Sequence, residues 1–239
     1  MSLPKPYYQD RWVTIYNADC REVLPELPKV DLVLTDFPYG NDMDYGGYKD
    51  TKENLAGLVK SIMPMILLKS KRALITCGVA NMWLYPEPKW TLCWATTAGV
   101  GSGPWGFCCW QPVLAYGNDP YLEAGKGRRA DTIILNETSE EFGHPCTKPI
   151  SLWQRLILRG SIKTDDIILD PFLGSGTTLR ASINLNRKCI GIEISEEYCH
   201  IAATRCSQMV LDLSNTQSDI SQDTSPANAD RHPSLLEEN

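Results

Sequence analysis

Ile167-Ile-Leu-Asp-Pro-Phe-Leu-Gly-Ser-Gly-Thr-Thr178 decides the fold. A strand-like segment, Ile167–Asp170, runs into a turn with two glycines and then into a helix-like segment, Thr177–Asn184. Glycines in such a turn let a ligand approach the backbone closely. The N-terminus of the helix offers free N–H groups and positive potential. The next strand-like run, Cys189–Glu193, ends in Gly191-Ile-Glu-Ile194, so Glu193 follows Gly176 by 17 residues. That spacing suits a carboxylate that holds a ribose diol. A phosphate-binding loop would need Lys-Ser or Lys-Thr after its second glycine, and here Thr-Thr follows Gly176. A dinucleotide fingerprint would need a third glycine where Leu179 stands. Alone, the Gly-x-Gly turn is equally compatible with a left-handed turn that holds no ligand.

Working outward, strand-like runs recur at Val13–Asn17, Asp31–Thr35, Ala73–Cys77, Thr91–Thr96 and Val113–Tyr116. Helix-like runs are Lys52–Lys69, with Pro64 inside it, Pro149–Arg159 and Ser195–Met209. Pro149 suits a first-turn position, and Ser195-Glu-Glu197 reads as a helix start with acids where the dipole favours them. Seven strands alternating with helices predict an α/β sheet covered on both faces. In such sheets ligands lie beyond the carboxyl ends of the strands, at the topological switch point.

The chain has 239 residues, 43% hydrophobic and 22% charged, which fits one large domain with a real core. Its longest apolar run, Ile62 to Leu68, is broken by Pro64, so no segment spans a bilayer, and Met1–Arg11 lacks a signal-peptide stretch. A cytoplasmic location is expected. Nine scattered cysteines without a Cys-x-x-Cys pair argue against zinc, and most sit in apolar runs and read as buried thiols, so no metal site is expected. The formal charge is −6, but residues 212–239 hold six acids and one base. This polar tail is expected to be disordered, which leaves residues 1–211 as a near-neutral domain able to meet phosphates.

Two further stretches bear chemistry. Val30-Asp-Leu-Val-Leu-Thr-Asp-Phe-Pro-Tyr-Gly40 delivers Asp36 to the end of a strand. Phe37 precedes Pro38 and is biased to an extended conformation, which aims its carbonyl beside the Asp36 carboxylate, and Tyr39 presents a flat face. Two acceptors and a stacking platform suit a planar ring that bears an amino group. An ordinary strand-end turn has the same local sequence. His144-Pro-Cys-Thr-Lys-Pro149 forms a polar turn before an amphipathic helix, where His144 alone reads as a turn or cap residue and Lys148 as a solvated charge.

Together these stretches resemble the amino-group DNA methyltransferases that use S-adenosylmethionine (SAM). The order Asp-x-Pro-Tyr, variable region, His-Pro-x-x-Lys-Pro, then Asp-Pro-Phe-x-Gly-Ser-Gly-Thr-Thr is similar to the β group, a circular permutation of the common methyltransferase fold. The resemblance spans about residues 13 to 210 and departs from the usual pattern at Phe37, where the family has proline. It implies a Rossmann-like, seven-stranded methyltransferase sheet. It implies that Asp170, Phe172, Gly174, Gly176 and Thr177 wall the methionine side of a SAM pocket. Glu193 is then expected to bind the ribose, Ile194 to pack on the adenine, Asp19 to lie near the adenine, and Lys148 to close over the methionine end.

The resemblance also implies chemistry. Asp36, Phe37, Pro38 and Tyr39 would form the catalytic turn, with the Asp36 carboxylate and Phe37 carbonyl accepting hydrogen bonds from the target amino group. The base must leave the duplex to be reached, and Tyr39 would stack on it. Phe37 is expected to add bulk beside that base and to slow or alter activity. Asp36 points to adenine N6, with cytosine N4 as the alternative. A methyltransferase-like DNA-binding protein with impaired chemistry is a further alternative. RNA or protein-glutamine methylation is opposed by the motif order, and a nucleotide-dependent oxidoreductase by Leu179. Site recognition is expected in residues 97–143, where Lys126, Arg128 and Arg129 lie with Trp105 and Tyr121 nearby. Double-stranded DNA is the expected partner, the β group includes dimers, and a restriction partner is left open.

Overall fold

The computed structural model describes residues 2–44, 48–97, 99, 101–136 and 148–220. The chain divides into two units, residues 1–206 and 207–239, and the account below concerns the first. Its sheet strands, in chain order, are β1 (Tyr8–Gln9), β2 (Val13–Asn17), β3 (Val30–Asp36), β4 (Ser70–Thr76), β5 (Trp90–Ala95), β6 (Trp110–Tyr116), β7 (Thr132–Ile134), β8 (Ile167–Asp170) and β9 (Lys188–Glu193). The helices are α1 (Cys20–Val23), α2 (Lys52–Lys69), α3 (Pro120–Glu123), α4 (Ile150–Gly160), α5 (Thr177–Asn184) and α6 (Glu196–Ile220).

Among the described residues the main sheet runs β1-β2-β9-β8-β3-β4-β6-β5-β7. It is parallel from β2 to β4, while β6 runs against both its neighbours and β1 runs against β2. The seven expected strands are present, and β1 and β7 extend the edges by two- and three-residue pieces too short to carry a readable alternation. From β8 the chain crosses through α5 to β9 on one side, while β3 lies on the other side. The switch point therefore falls between β8 and β3, whose carboxyl ends carry Asp170 and Asp36.

The central strands are apolar on both faces because both faces are covered. Val33 belongs to the cluster that packs with Leu55, Val59, Ile62 and Ile66 of α2. Leu32 and Leu74 face α4, and a Cβ on Gly160 would come within 2.7 Å of Leu32. Helix α4 turns Leu152, Trp153, Leu156 and Ile157 inward, the spacing of one helical face. Its first residue is Ile150, with Pro149 one position before the helix. Thr51 caps α2, its side chain accepting from the Asn54 N–H, and Ser195 Oγ does the same for the Tyr198 N–H at the start of α6. Helix α6 continues past residue 211, where composition places a domain boundary, because neither Pro nor Gly occurs between Ser195 and Pro226. Residues 221–239 lie outside the described residues. No described helix is long and apolar enough to cross a membrane.

The described residues of the region 97–143 do not form one patch. Strand β6 pairs Val113 with Thr76 and Tyr116 with Ala73, so it carries the chain from the Asp36 end of the sheet to the opposite end. A small hairpin, Gly101–Gly103 with Gly106–Cys108, precedes β6 and holds Trp105. The basic cluster follows β6. There Arg129 stacks on the Tyr121 ring at 4.7 Å, and the Tyr121 hydroxyl donates to the Leu158 carbonyl near the end of α4. Trp105 and the Lys126–Arg129 stretch thus lie beyond opposite ends of β6. Residues 137–143 and His144 lie outside the described residues.

Candidate functional site

Beyond the carboxyl ends of β3, β8 and β9 lies a cavity of about 520 Å³. Of the residues singled out in the sequence, Asp19, Asp36, Phe37, Pro38, Lys148, Asp170, Phe172, Gly174, Thr177, Glu193 and Ile194 line it. Tyr39 and Gly176 do not.

The Gly-rich turn is built by two left-handed residues, Gly174 (φ 53°) and Gly176 (φ 86°). Gly176 is fixed twice over, since a Cβ there would also meet Ala202 of α6 at 2.9 Å. The turn is clamped by its own ligand candidate. Glu193 Oε2 accepts from the Gly174 N–H at 2.8 Å and Oε1 from the Ser195 N–H at 2.9 Å. Burial raises the Glu193 pKa against these hydrogen bonds. Ile194, 71% exposed, stands beside it on the cavity rim.

Asp170 is a structural node as much as a wall. Its Oδ1 accepts from Thr35 Oγ1 at 2.6 Å and from the Phe172 N–H at 3.0 Å, and its Oδ2 accepts from Thr178 Oγ1. Trp153 Nε1 donates to the same Thr178 hydroxyl at 2.7 Å. Strands β3 and β8 and helices α4 and α5 are tied together through this one carboxyl. Its burial pushes the pKa up to about 6. Asp19 caps α1 through the Arg21 N–H and pairs with the Arg21 guanidinium, which holds its carboxyl below the usual range.

At the other end of the cavity stands Asp36. Its Oδ1 accepts from Thr76 Oγ1 and from the Tyr39 hydroxyl at 2.9 Å, and its Oδ2 accepts from Lys148 Nζ at 2.5 Å. The Tyr39 oxygen is also 2.9 Å from Gln111 Oε1. Having one proton, it donates to the carboxylate, and the Gln111 amide then presents its NH₂ to the phenol. Burial and the Asp36 charge hold the Tyr39 pKa well above its ordinary value.

One expectation changes here, and two gain detail. The Phe37 ring is 1% exposed and sits in the core, edge-on to Phe172 at 4.6 Å and to Tyr85 at 5.4 Å. Its bulk fills the interior, so it does not crowd a base. Lys148 meets Asp36, with its ammonium 4.9 Å from the Tyr39 ring centre, so it stands on the Asp36 side of the cavity. Tyr39 is held by hydroxyl bonds and packs against Gly78, where a Cβ would meet its ring at 3.5 Å. One of its faces is therefore already engaged.

Two residues absent from the sequence reading hold the Asp36 turn. The Asp50 carboxylate accepts the backbone N–H groups of Tyr39, Gly40 and Asn41 at 2.9, 2.9 and 3.3 Å. Asn81 Nδ2 donates to the Tyr39 carbonyl at 2.7 Å. A carboxylate that gathers three consecutive amides fixes a backbone as a helix N-terminus fixes an anion.

Residues 79–204 match the family model for N6/N4-type DNA methylases, and the chain belongs to that family. The Type II methyltransferase M.ScaI of Streptomyces caespitosus is 26% identical over 85% of this chain and 84% of its own length. The orphan methyltransferase M.BamHII of Bacillus amyloliquefaciens is 46% identical over 29% of this chain, and M2.LlaDCHI of Lactococcus lactis subsp. cremoris 45% over 32%. The match spans 26% and 29%, respectively, of those two relatives' lengths. Among solved structures, the M1.HpyAVI–SAM complex superposes with a TM-score of 0.60 at 24% identity, over 81% of this chain and 99% of that one. The cytosine-N4-specific PvuII DNA methyltransferase superposes with 0.66 at 17%, over 84% and 88%. At these identities the two structures define a shared fold.

Proposed function

We propose that this chain transfers the methyl group of SAM to an exocyclic amino group of a base extruded from duplex DNA, with adenine N6 as the favoured acceptor. The observation that carries this reading is Asp36. One of its oxygens is bonded to Thr76 and Tyr39, and the other meets only an ammonium among its described partners, in the wall of the cavity that Glu193 closes at its far end.

The cavity suits SAM in size and chemistry. About 520 Å³ is within the range of small-molecule sites. Glu193 keeps lone pairs for a diol, and the exposed Ile194 offers an apolar face to a ring. When bound, SAM supplies a methyl group already electrophilic at the sulfonium.

The chain's own task is the acceptor. An exocyclic nitrogen has its lone pair delocalised into the ring. Asp36 Oδ2 and the Phe37 carbonyl accept its two N–H groups, favour a pyramidal nitrogen and stabilise positive charge as it develops. Thr76 and Tyr39 keep the carboxylate in one rotamer by donating to Oδ1. Asp50 and Asn81 keep the backbone of the turn fixed, so that nitrogen and methyl meet in line. Phe37 supplies its carbonyl as proline would, since every residue carries one.

Asp36 favours adenine, and the likeness to a cytosine-N4-specific enzyme favours cytosine N4 as the second reading. The test is to incubate the protein with unmethylated DNA and labelled SAM, digest the DNA to nucleosides and identify the labelled one by mass. N6-methyladenine is expected and N4-methylcytosine selects the second reading. Absence of label with SAM binding intact rejects both.

A further inference from the structure

We propose that the hairpin Gly101–Gly103/Gly106–Cys108 is a wedge that enters duplex DNA, with Trp105 filling the place left by the extruded base. The inference rests on the reading above and adds the element that opens the duplex.

Trp105 at the hairpin tip is 101% exposed and Phe107 86%. Paired Ser102 and Phe107 leave Phe107 without an apolar partner across the ribbon. Two large rings left in water cost free energy that a monomer gains nothing from. Gly103 points the same way. A Cβ on Gly103 would meet nothing within 4 Å, and Gly103 has no left-handed backbone to justify it. Neither packing nor conformation inside the chain asks for glycine there, whereas a slim ribbon is what close approach to an outside surface needs.

Position and charge select the partner. The hairpin leads into β6 at the end where Gln111 reaches Tyr39, whose hydroxyl donates to Asp36. Trp105 is therefore at most roughly 20 Å of extended chain from Gln111. Residues 99–110 carry no charged side chain, so this element does not seek phosphates. An uncharged ribbon with aromatic rings beside a site for an extruded base fits the interior of the duplex, where apolar side chains stack between base steps.

The test needs no methyl transfer. The full-length protein is titrated with a duplex carrying one abasic position and with the same duplex intact. The wild type is expected to prefer the abasic duplex by roughly ten-fold, the size of one aromatic stacking contact. Trp105→Ala is expected to lose that preference and Trp105→Phe to keep part of it. Equal affinity of the wild type for both duplexes, or an unchanged preference in Trp105→Ala, overturns the proposal. So does a wild type that is dimeric in solution and becomes monomeric on Trp105→Ala, since the rings then cover a second copy. A wild type that prefers the abasic duplex yet methylates no DNA overturns the proposed function and leaves the wedge standing.

Discussion

Lys148 Nζ stands 2.5 Å from Asp36 Oδ2, the oxygen to which the proposed mechanism assigns the target amino group. The other carboxylate oxygen is already bonded to Thr76 and Tyr39. Oδ2 has a second lone pair free among the described contacts, so the proposed amino group can donate beside the ammonium or in its place.

Lys148→Met removes the ammonium beside Asp36. DNA half-saturation is expected to stay level or fall, and SAM affinity to change by less than about three-fold, as for a partly exposed pair. Separate titrations with SAM and DNA check this. A ten-fold loss of SAM affinity would return Lys148 to the cofactor.

Asp36→Asn is expected to lower kcat by about 10²–10³-fold, the size of a lost preorganised electrostatic contact, with SAM affinity unchanged. Asp50→Ala acts one step back by freeing three backbone N–H groups of the turn. Its kcat is expected to fall by up to about 10²-fold from misplacement of Asp36, again with SAM binding retained. Single-turnover rates beside SAM titrations separate the two effects, and a loss of SAM binding in either variant refutes the division of labour.

Phe37→Pro restores the usual family residue but removes a ring packed between Phe172 and Tyr85. Emptying such a site costs about 3–5 kcal/mol, which for a domain of this size lowers Tm by roughly 6–20 °C. Turnover per folded molecule at low temperature is expected to hold within a few-fold, because the carbonyl remains. Thermal melts and active-site titration decide, and an unchanged Tm contradicts the core assignment.

The Asp170 carboxyl is pushed up to about 6 from an ordinary 3.8 by burial. A raised folded-state pKa means the folded chain holds the proton more tightly than the unfolded chain does. The favourable contribution is complete below pH ~4 and is lost as the pH rises to ~6, by about 3 kcal/mol at most. Asp170→Asn does not titrate. The Tm of the wild type minus that of the variant is expected to fall between pH 4 and 6 and then level off. A difference that stays flat across that range rejects the shift.

Legibility followed locality. The Gly174–Gly176 turn, Glu193 and the strands beside them were readable because each signal is contiguous or lies one crossover away. Thr76, Asn81, Gln111 and Asp50 each come from a different element, and nothing in their spacing announces that they meet at Asp36 and Tyr39. Phe37 misled because proline at the next position constrains its backbone and says nothing of where the ring turns. Lys126, Arg128 and Arg129 are near Trp105 in sequence, whereas β6 runs the length of the sheet between them.

The strand order β2-β9-β8-β3 also bears on synthesis. β2 and β3 leave the ribosome early, yet the two strands that lie between them come last. Until residues beyond 188 emerge, the nascent chain carries two sheet margins with unpaired amides and carbonyls, which are sticky toward other chains. Closure requires the late pair to slot between early ones across more than a hundred residues, a high-contact-order event that makes refolding slow. The Thr35–Asp170 hydrogen bond joins β3 to β8, so it forms only once that insertion is made.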